Sequence, residues 1–244
     1  INDGWGTIQA LVALSRALVC AGRVAEGREC VGRLRALSSS DQTALGGALG
    51  ALAAAAIEDQ VGDGARALEL LPDSVGNREV GGDEFWASRI IALVHLGRVE
   101  EAIALATRPD VATAGRTSRY LACARGYAFV ASGRLAELED VLTPTPGGSY
   151  LDEVGSWVLR ALAATREGHA GTAEEAIGRA RQRVDQTSAR LDQAVVRIAE
   201  AVIARRFGRI DAADIEASAR ARMELIDVSP QGWFTTFSLC AGLT

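Results

Sequence analysis

The sequence is poor in the residues that build β-sheets, and it has no lysine. Its 244 residues include three tyrosines, five phenylalanines and five prolines, and all 26 basic residues are arginine. A chain with so few strand-favouring residues does not form a β-sandwich or a β-barrel. The 45 alanines and the many arginines favour helix instead. The composition therefore predicts an all-α fold that is long enough to bury a core.

A basic excess and a long apolar run are also missing. The formal net charge is −5, and the most basic segment, residues 179–222, holds ten arginines against six acidic residues. Nucleic-acid-binding domains usually carry a denser basic patch, so we expect no direct nucleic-acid binding by this chain. The longest apolar stretch, residues 48–57, is shorter than the roughly 18 residues that span a bilayer. We expect no membrane partner.

Motifs for catalysis or metal binding are absent as well. The cysteines, Cys20, Cys30, Cys123 and Cys240, form no CxxC pair, and the two histidines add no zinc-binding spacing. Free thiols in a reducing compartment are the simplest interpretation, which predicts a cytoplasmic protein. No HExxH, P-loop or GxSxG motif occurs. We predict a non-enzyme without cofactor or metal. An alternative is an all-α ligand-binding protein or enzyme.

What the sequence does contain is a repeat with a glycine at each turn. Each glycine follows one apolar-periodic run and precedes another, at spacings of 40, 35, 36, 35 and 40 residues. These glycines are Gly22, Gly62, Gly97, Gly133, Gly168 and Gly208. A glycine in left-handed backbone geometry can end one helix and let the chain reverse into the next. Each unit is therefore predicted to be a helix, a tight turn and a second helix.

This pattern resembles the tetratricopeptide repeat, whose period is about 34 residues. With the turn glycine at repeat position 15, position 8 holds mostly small residues: Ser15, Ala55, Ile90, Gly126, Ala161 and Ala201. Position 20 does the same, with Gly27, Ala67, Ala102, Leu138, Ala173 and Ala213. Position 24 is apolar throughout, with Val31, Leu71, Ala106, Leu142, Ile177 and Ala217. The consensus proline is missing, so the array is divergent.

The resemblance implies a right-handed superhelical solenoid of about six helix-turn-helix repeats plus a terminal helix, in a single domain over residues 1–244. The repeats fall at about 8–41, 48–81, 83–116, 119–152, 154–187 and 194–227, and the terminal helix at 230–243. Because position 1 is Ile rather than Met, we expect the chain to be part of a longer protein. A last helix without a following unit would expose an apolar face. We therefore expect self-association into a homo-oligomer through residues 229–244.

In tetratricopeptide arrays, positions 2, 5, 9, 12 and 13 of the first helix face a concave groove. The resemblance implies a groove for a ligand or partner lined by Gln9, Arg16, Gln60, Glu84, His95, Tyr120, Tyr127, Arg166, Arg205 and Arg206. Tyrosine and arginine are common at binding surfaces. A solvated groove, or one filled by another part of the parent protein, is the alternative interpretation.

Position 7, which is leucine in the repeat consensus, holds arginine in three consecutive units: Arg89, Arg125 and Arg160. Two interpretations are open. In the first, each stem packs on a neighbour and each guanidinium pairs with an acid or with a carbonyl at a helix end. In the second, the arginines form an anion-binding stripe for an acidic partner segment or a phosphorylated ligand.

The turns of the type Gly-Arg-x-x-Glu-Ala, as at residues 97–102, are similar to those in the C-terminal helical-repeat region of large LuxR-type, ATP-dependent transcriptional regulators of high-GC bacteria. This resemblance implies a non-catalytic sensor module that binds a protein partner or a small-molecule inducer and acts on other domains of its parent chain. The alternative is a stand-alone scaffold for protein–protein interaction. A deep pocket lined by Tyr120, Tyr127 and His95 would favour the small-molecule version, and an open groove would favour the scaffold.

Overall fold

The computed structural model describes residues 4–40, 44–71, 82–115, 118–142 and 150–243. Within these ranges the chain is helical, with one 3-10 turn at Leu135–Glu137 and no strand, so the all-α prediction is confirmed for this part of the chain. None of these helices is long and apolar enough to cross a bilayer. The helices are α1 (Gly4–Cys20), α2 (Val24–Ser40), α3 (Ala44–Val61), α4 (Gly64–Leu70), α5 (Gly82–His95), α6 (Val99–Ala106), α7 (Pro109–Ala114), α8 (Arg119–Ser132), α9 (Leu138–Leu142), α10 (Tyr150–Glu167), α11 (Ala170–Asp185), α12 (Arg190–Arg206), α13 (Ala212–Glu224) and α14 (Gln231–Cys240).

Six tight turns reverse the chain, and a glycine stands in each. The six glycines predicted to end a helix all have positive φ values, between 64° and 83°. At Gly97, for example, the amide donates to the Val94 carbonyl at 3.0 Å, and the next amide donates to the Leu93 carbonyl at 2.8 Å. The left-handed geometry predicted at these positions is confirmed. The turns join the pairs α1–α2, α3–α4, α5–α6, α8–α9, α10–α11 and α12–α13, and the leading member of each pair is named its first helix.

The third unit contains one helix more than the predicted helix-turn-helix. A short additional helix, α7, follows the third pair, with Pro109 in its first turn, where a missing amide hydrogen leaves no helical bond unmade. The unit ends predicted at residues 41, 81 and 116 lie outside the described residues.

The helices approach closely at the small residues. A Cβ atom on Gly27 would lie 2.6 Å from Val19 Cγ2, and one on Gly126 would lie 2.7 Å from Leu159 Cδ1. The same Gly126 position lies 3.5 Å from Leu138 Cδ1, so the large residue at position 20 of this unit packs against the smallest residue at position 8. The larger side chain at position 20 thus compensates for the missing side chain at position 8, and the packing stays dense.

The sixth pair departs from the predicted register by two residues. Helix α13 begins at Ala212, two residues later relative to its turn glycine than α2, α4 or α6. Ala213 and Ala217, predicted to pack at positions 20 and 24, are therefore exposed, and Ile215 and Ala219 are buried in their place. The prediction for these two alanines is wrong because the turn before them is longer.

The array of pairs closes on itself. Each first helix packs against the next, from α1 through α3, α5, α8 and α10 to α12, and α1 also packs against α12. At this junction a Cβ atom on Gly22 would lie 2.6 Å from Ile226 Cγ2 and 3.2 Å from Arg190 Cβ. The predicted superhelical solenoid is not confirmed, because in a solenoid each unit contacts only its neighbours, whereas here the first and last units touch.

The terminal helix lies inside this closed array. Helix α14 packs against α5, α8, α10 and α12 and buries Trp233, Phe234 and Phe237. Gly232 permits the close approach, since a Cβ atom there would lie 1.8 Å from the Gly62 carbonyl oxygen. The expectation that this helix exposes an apolar face is therefore wrong. Self-association through residues 229–244 therefore no longer follows from an exposed apolar face, and it stays a prediction.

Candidate ligand cavity

A cavity of about 540 Å³ lies at the centre of the array. All six first helices contribute residues to its wall, and Trp233 of α14 lines it as well. Much of the wall is apolar, with side chains such as Ala56, Ile91, Val158 and Leu191. Cavities of this size and composition commonly hold small organic ligands.

Part of the wall on α3 carries buried polar atoms without partners. Asp59 exposes 2% of its surface, and neither of its carboxylate oxygens has a hydrogen-bond partner among the described residues. The Gln60 Oε1 atom is buried and unpaired in the same way. The buried Ser88 hydroxyl on α5 lies close enough to Asp59 to interact with its carboxylate, but without the geometry of a full hydrogen bond. Burial raises the pKa of Asp59 well above its usual range, and the nearby Ser88 hydroxyl acts in the opposite direction. Unpaired buried polar atoms are rare and cost stability, so these atoms mark a candidate binding site.

A second carboxylate, Asp192 on α12, also lines the cavity. The Tyr150 hydroxyl donates a long hydrogen bond of 3.4 Å to Asp192 Oδ2. Burial raises the pKa of Asp192 to about 6, and the hydrogen bond from Tyr150 opposes part of that effect. Both the neutral and the ionised form of this group are therefore accessible slightly below neutral pH.

Charged and half-exposed side chains border the apolar wall. Arg16 Nη2 on α1 donates to Glu84 Oε1 on α5 at 2.9 Å, and these two side chains expose 37% and 38% of their surface. Arg119 and Tyr120 line the cavity from α8. An ion pair this exposed contributes little to stability, but it places charged groups beside the apolar wall.

The polar groups that hold α14 in place are paired, in contrast to those of the wall. Trp233 Nε1 donates to the Gln60 carbonyl oxygen at 2.9 Å. His95 Nε2 lies 3.1 Å from the Asp59 carbonyl oxygen, and His95 Nδ1 lies 2.7 Å from Thr236 Oγ1. Nδ1 also lies 3.2 Å from the Gly232 carbonyl oxygen, so each ring nitrogen faces a carbonyl that can accept its proton, and the Thr236 hydroxyl can donate to Nδ1 or accept from it. Burial lowers the pKa of His95 to about 4, which keeps the ring neutral.

Arg166 secures the far end of α14. Its Nη1 donates to the Leu239 carbonyl oxygen at 2.7 Å and to the Ala131 carbonyl oxygen at 3.3 Å. Both carbonyls belong to the last turns of helices, α14 and α8, where the helix itself supplies no partner. Arg166 therefore joins the C-terminal ends of two helices.

The structure divides the ten projected groove residues into three groups. Arg16, Gln60, Glu84, Tyr120 and Tyr127 line the cavity. His95 and Arg166 instead hold α14. Gln9, Arg205 and Arg206 are exposed and lie outside the cavity wall.

The position-7 arginines make structural contacts in two of the three units. Arg125 Nε donates to the carbonyl oxygen of Ala106, the last residue of α6, at 2.9 Å. The guanidinium of Arg89 lies 5.9 Å from the ring centroid of Phe85. These contacts favour the first interpretation, in which the arginines pack and pair within the fold. Arg160 is half-buried on α10, and the stripe hypothesis stays a prediction for it.

The cavity residues that the groove prediction did not include are Asp59, Asp192 and Trp233 among others. Asp59 falls at position 12 of the second unit, a groove position, and a carboxylate in the alanine-rich helix α3 was the available signal. Asp192 precedes the sixth predicted unit, because α12 begins at Arg190 rather than at residue 194. Trp233 belongs to the terminal helix, whose place inside the array is not specified by the repeat.

No family model, no curated protein and no solved structure matches the chain. Among the described residues, no group of three or more His, Cys, Asp or Glu side chains could hold a metal ion. The cavity is therefore interpreted from its own geometry, and the resemblances to tetratricopeptide arrays and to LuxR-type regulators stay predictions.

Proposed function

We propose that this chain is a non-catalytic sensor module that binds a small molecule in its central cavity. The observation that carries the proposal is the pair of neighbouring residues Asp59 and Gln60, whose side-chain oxygens are buried in an apolar wall without partners. A ligand that donates hydrogen bonds to these atoms would remove the penalty of burying them unpaired. The gain appears only on binding, as a sensor requires.

A scaffold for an extended peptide is the second candidate, and the position of α14 speaks against it. This helix fills the interior of the array beside the cavity, through Trp233 and Phe237. An extended peptide lying along the first helices would have to displace it. A compact ligand needs no such displacement.

The way the wall is built supports a role in signalling. Because each of the six units supplies wall residues, a bound ligand touches the whole array, including the α1–α12 junction. From the resemblance to LuxR-type regulators, we propose that the parent protein is a cytoplasmic bacterial transcriptional regulator. In that proposal, other domains of the parent chain respond to occupancy of the cavity.

The test is to recover the ligand and to show where it binds. The purified domain is incubated with lysate of the source cells and re-isolated, and the small molecules it releases on denaturation are identified by mass spectrometry. Val195 lines the cavity, so Val195→Phe should fill part of it and abolish retention. Ile210 is fully exposed, at 103%, and Ile210→Phe is the matched control that should retain the molecule.

Circular dichroism and thermal unfolding establish that both variants are folded. Retention of one compound by the wild type and the control, with loss in Val195→Phe, supports the sensor. Retention of a protein without any small molecule, unchanged in Val195→Phe, would contradict the sensor and support the scaffold.

A further inference from the structure

The charges on the cavity wall are unequal, and this inequality indicates what the ligand carries. Three carboxylates line the cavity, those of Asp59, Glu84 and Asp192, together with two guanidinium groups, those of Arg16 and Arg119. Glu84 is already paired with Arg16. The carboxylates of Asp59 and Asp192 have no cationic partner among the described residues.

The unpaired acceptors match the donors of an ammonium group. Asp59 offers two oxygens and Gln60 offers one, all buried, without partners and on adjacent residues of α3. A primary ammonium group has three N–H donors and no acceptor. The number of donors equals the number of unpaired oxygens, and the charge of Asp59 is compensated at the same time.

The rest of the wall suits an apolar body with a positive end. Tyr120, Tyr127 and Trp233 bring three aromatic rings to the cavity, and aromatic faces attract organic cations. The aliphatic side chains from α1, α5, α10 and α12 provide apolar surface for the body of such a ligand. An anionic ligand would face two uncompensated carboxylates, which is costly in an apolar cavity.

We infer that the cavity takes an organic amine with an apolar body, whose ammonium group pairs with Asp59 and Gln60 while Asp192 supplies a second counter-charge. This inference rests on the proposed sensor function and names the chemical class of its ligand. It requires no covalent step.

Titration of the carboxylates gives the inference a second signature. The titratable and charged side chains that line the cavity are Arg16 and Cys20 on α1, Asp59 on α3, Glu84 on α5, Arg119, Tyr120, Cys123 and Tyr127 on α8, and Asp192 on α12. Burial holds the pKa of Asp192 at about 6 and that of Asp59 above its usual range. A cation binds best to the ionised forms, so the affinity for an amine should rise as the pH increases from 5 to 8.

The experiment compares three isosteric probes by titration calorimetry: 4-phenylbutylamine, 4-phenylbutan-1-ol and 4-phenylbutyrate. The amine should bind at least about tenfold more tightly than the alcohol, and the butyrate should not bind. Asp59→Asn should weaken amine binding by about tenfold or more and leave alcohol binding unchanged. Asp192→Asn should reduce the increase of amine affinity between pH 5 and 8.

Asp214 is exposed on α13, and Asp214→Asn is the matched control that should leave all three affinities unchanged. Equal affinities for the amine and the alcohol, both lost in Val195→Phe, would overturn the inference and leave the sensor function in place. Absence of binding by all three probes would overturn the inference, whereas the sensor function is contradicted only if the lysate experiment also yields no small molecule. Amine binding that survives both Asp59→Asn and Asp192→Asn would overturn the assignment of the counter-charges.

Discussion

The interior of the array has two halves that treat polar groups in opposite ways. In the half filled by α14, His95 and Trp233 make hydrogen bonds to the backbone carbonyls of Asp59 and Gln60. In the half occupied by the cavity, the side-chain oxygens of the same two residues are buried without partners. At Asp59 and Gln60 the backbone carbonyls are therefore hydrogen-bonded towards α14, whereas the side-chain oxygens towards the cavity are not.

This contrast separates the groups that build the fold from those available for binding. A fold that needs only stability leaves few buried polar atoms unpaired, and the α14 side follows that rule. A cluster of unpaired buried polar atoms is expected instead at a functional site, where binding is favoured at the expense of stability. Substitutions in the two halves should therefore change stability in opposite directions.

The largest effect is expected at the contact between α14 and the second turn. In Gly232→Ala the new methyl group would collide with the Gly62 carbonyl, 1.8 Å away, and α14 would have to leave its site. We expect a loss of about 3 kcal/mol or more in the free energy of unfolding, measured by urea denaturation. Gly178 lies in α11 with no atom within 4 Å of its Cβ position, so Gly178→Ala should be neutral or slightly stabilising. Equal losses in both variants would show that α14 is not held by this contact.

The second effect concerns the pH dependence of the filled half. The pKa of His95 falls from 6.5 to about 4 on burial, so the unfolded chain takes up this proton at a higher pH than the folded chain. The stability that depends on neutral His95 is present above about pH 6.5 and is lost as the pH falls towards 4, a change of about 3 kcal/mol. Urea denaturation at pH 7 and pH 4.5 should show a smaller loss on acidification for His95→Gln than for the wild type. His169 is exposed at a turn, and His169→Gln should behave like the wild type.

A moderate effect is expected at the far end of α14. Arg166→Ala leaves the Leu239 and Ala131 carbonyls without the donor that now bonds them. Bonds to a charged donor contribute about 1.5–3 kcal/mol each, and solvent recovers part of this at a half-exposed site, so we expect a loss of about 2 kcal/mol. Arg206, exposed on α12, is the matched control, and Arg206→Ala should change stability by less than about 0.5 kcal/mol. Similar losses in the two arginine variants would remove Arg166 from the fixation of α14.

The smallest effect has the opposite sign and belongs to the cavity half. Asp59→Asn removes a carboxylate that is buried without a partner, and it should raise the free energy of unfolding at pH 8 by about 1 kcal/mol. Because burial raises the pKa of Asp59, this cost is fully present only above the folded pKa and disappears as the pH falls below the unfolded value near 3.8. The gain in Asp59→Asn should therefore shrink on acidification. A destabilised Asp59→Asn at pH 8 would indicate that the carboxylate is paired within the fold.

The sequence predicted the local features of this fold because they depend on neighbouring residues. A glycine between two apolar-periodic runs defines a turn, and all six such glycines have the expected left-handed geometry. The register of α13 was not predicted, because its longer turn differs from the others without any change in the glycine. The repeat alignment therefore placed Ala213 and Ala217 in the core. In the structure Ile215 and Ala219 are buried instead.

The candidate site was predicted in part, for a related reason. Arg16, Glu84, Tyr120 and Tyr127 line the cavity, and the repeat assigned all four to groove positions of its units. The role of His95 depends on Thr236, far away in the chain, and no repeat pattern contains that contact. Closure of the array and insertion of α14 are non-local events, and they decide which inner side chains face the cavity.

The contact between Gly22 and Ile226 also bears on how the protein unfolds. A linear stack of repeats has two ends, and its outermost units can fray while the centre stays folded. Here the first hairpin packs against the last, so local unfolding of either one exposes apolar surface on both. Amide hydrogen exchange should accordingly be slow at the two termini of the array, with no gradient of protection from the ends to the middle. Such a chain is expected to melt in one cooperative transition. Its folding should be slow, because contacts between the first and last hairpins join residues almost a whole chain length apart.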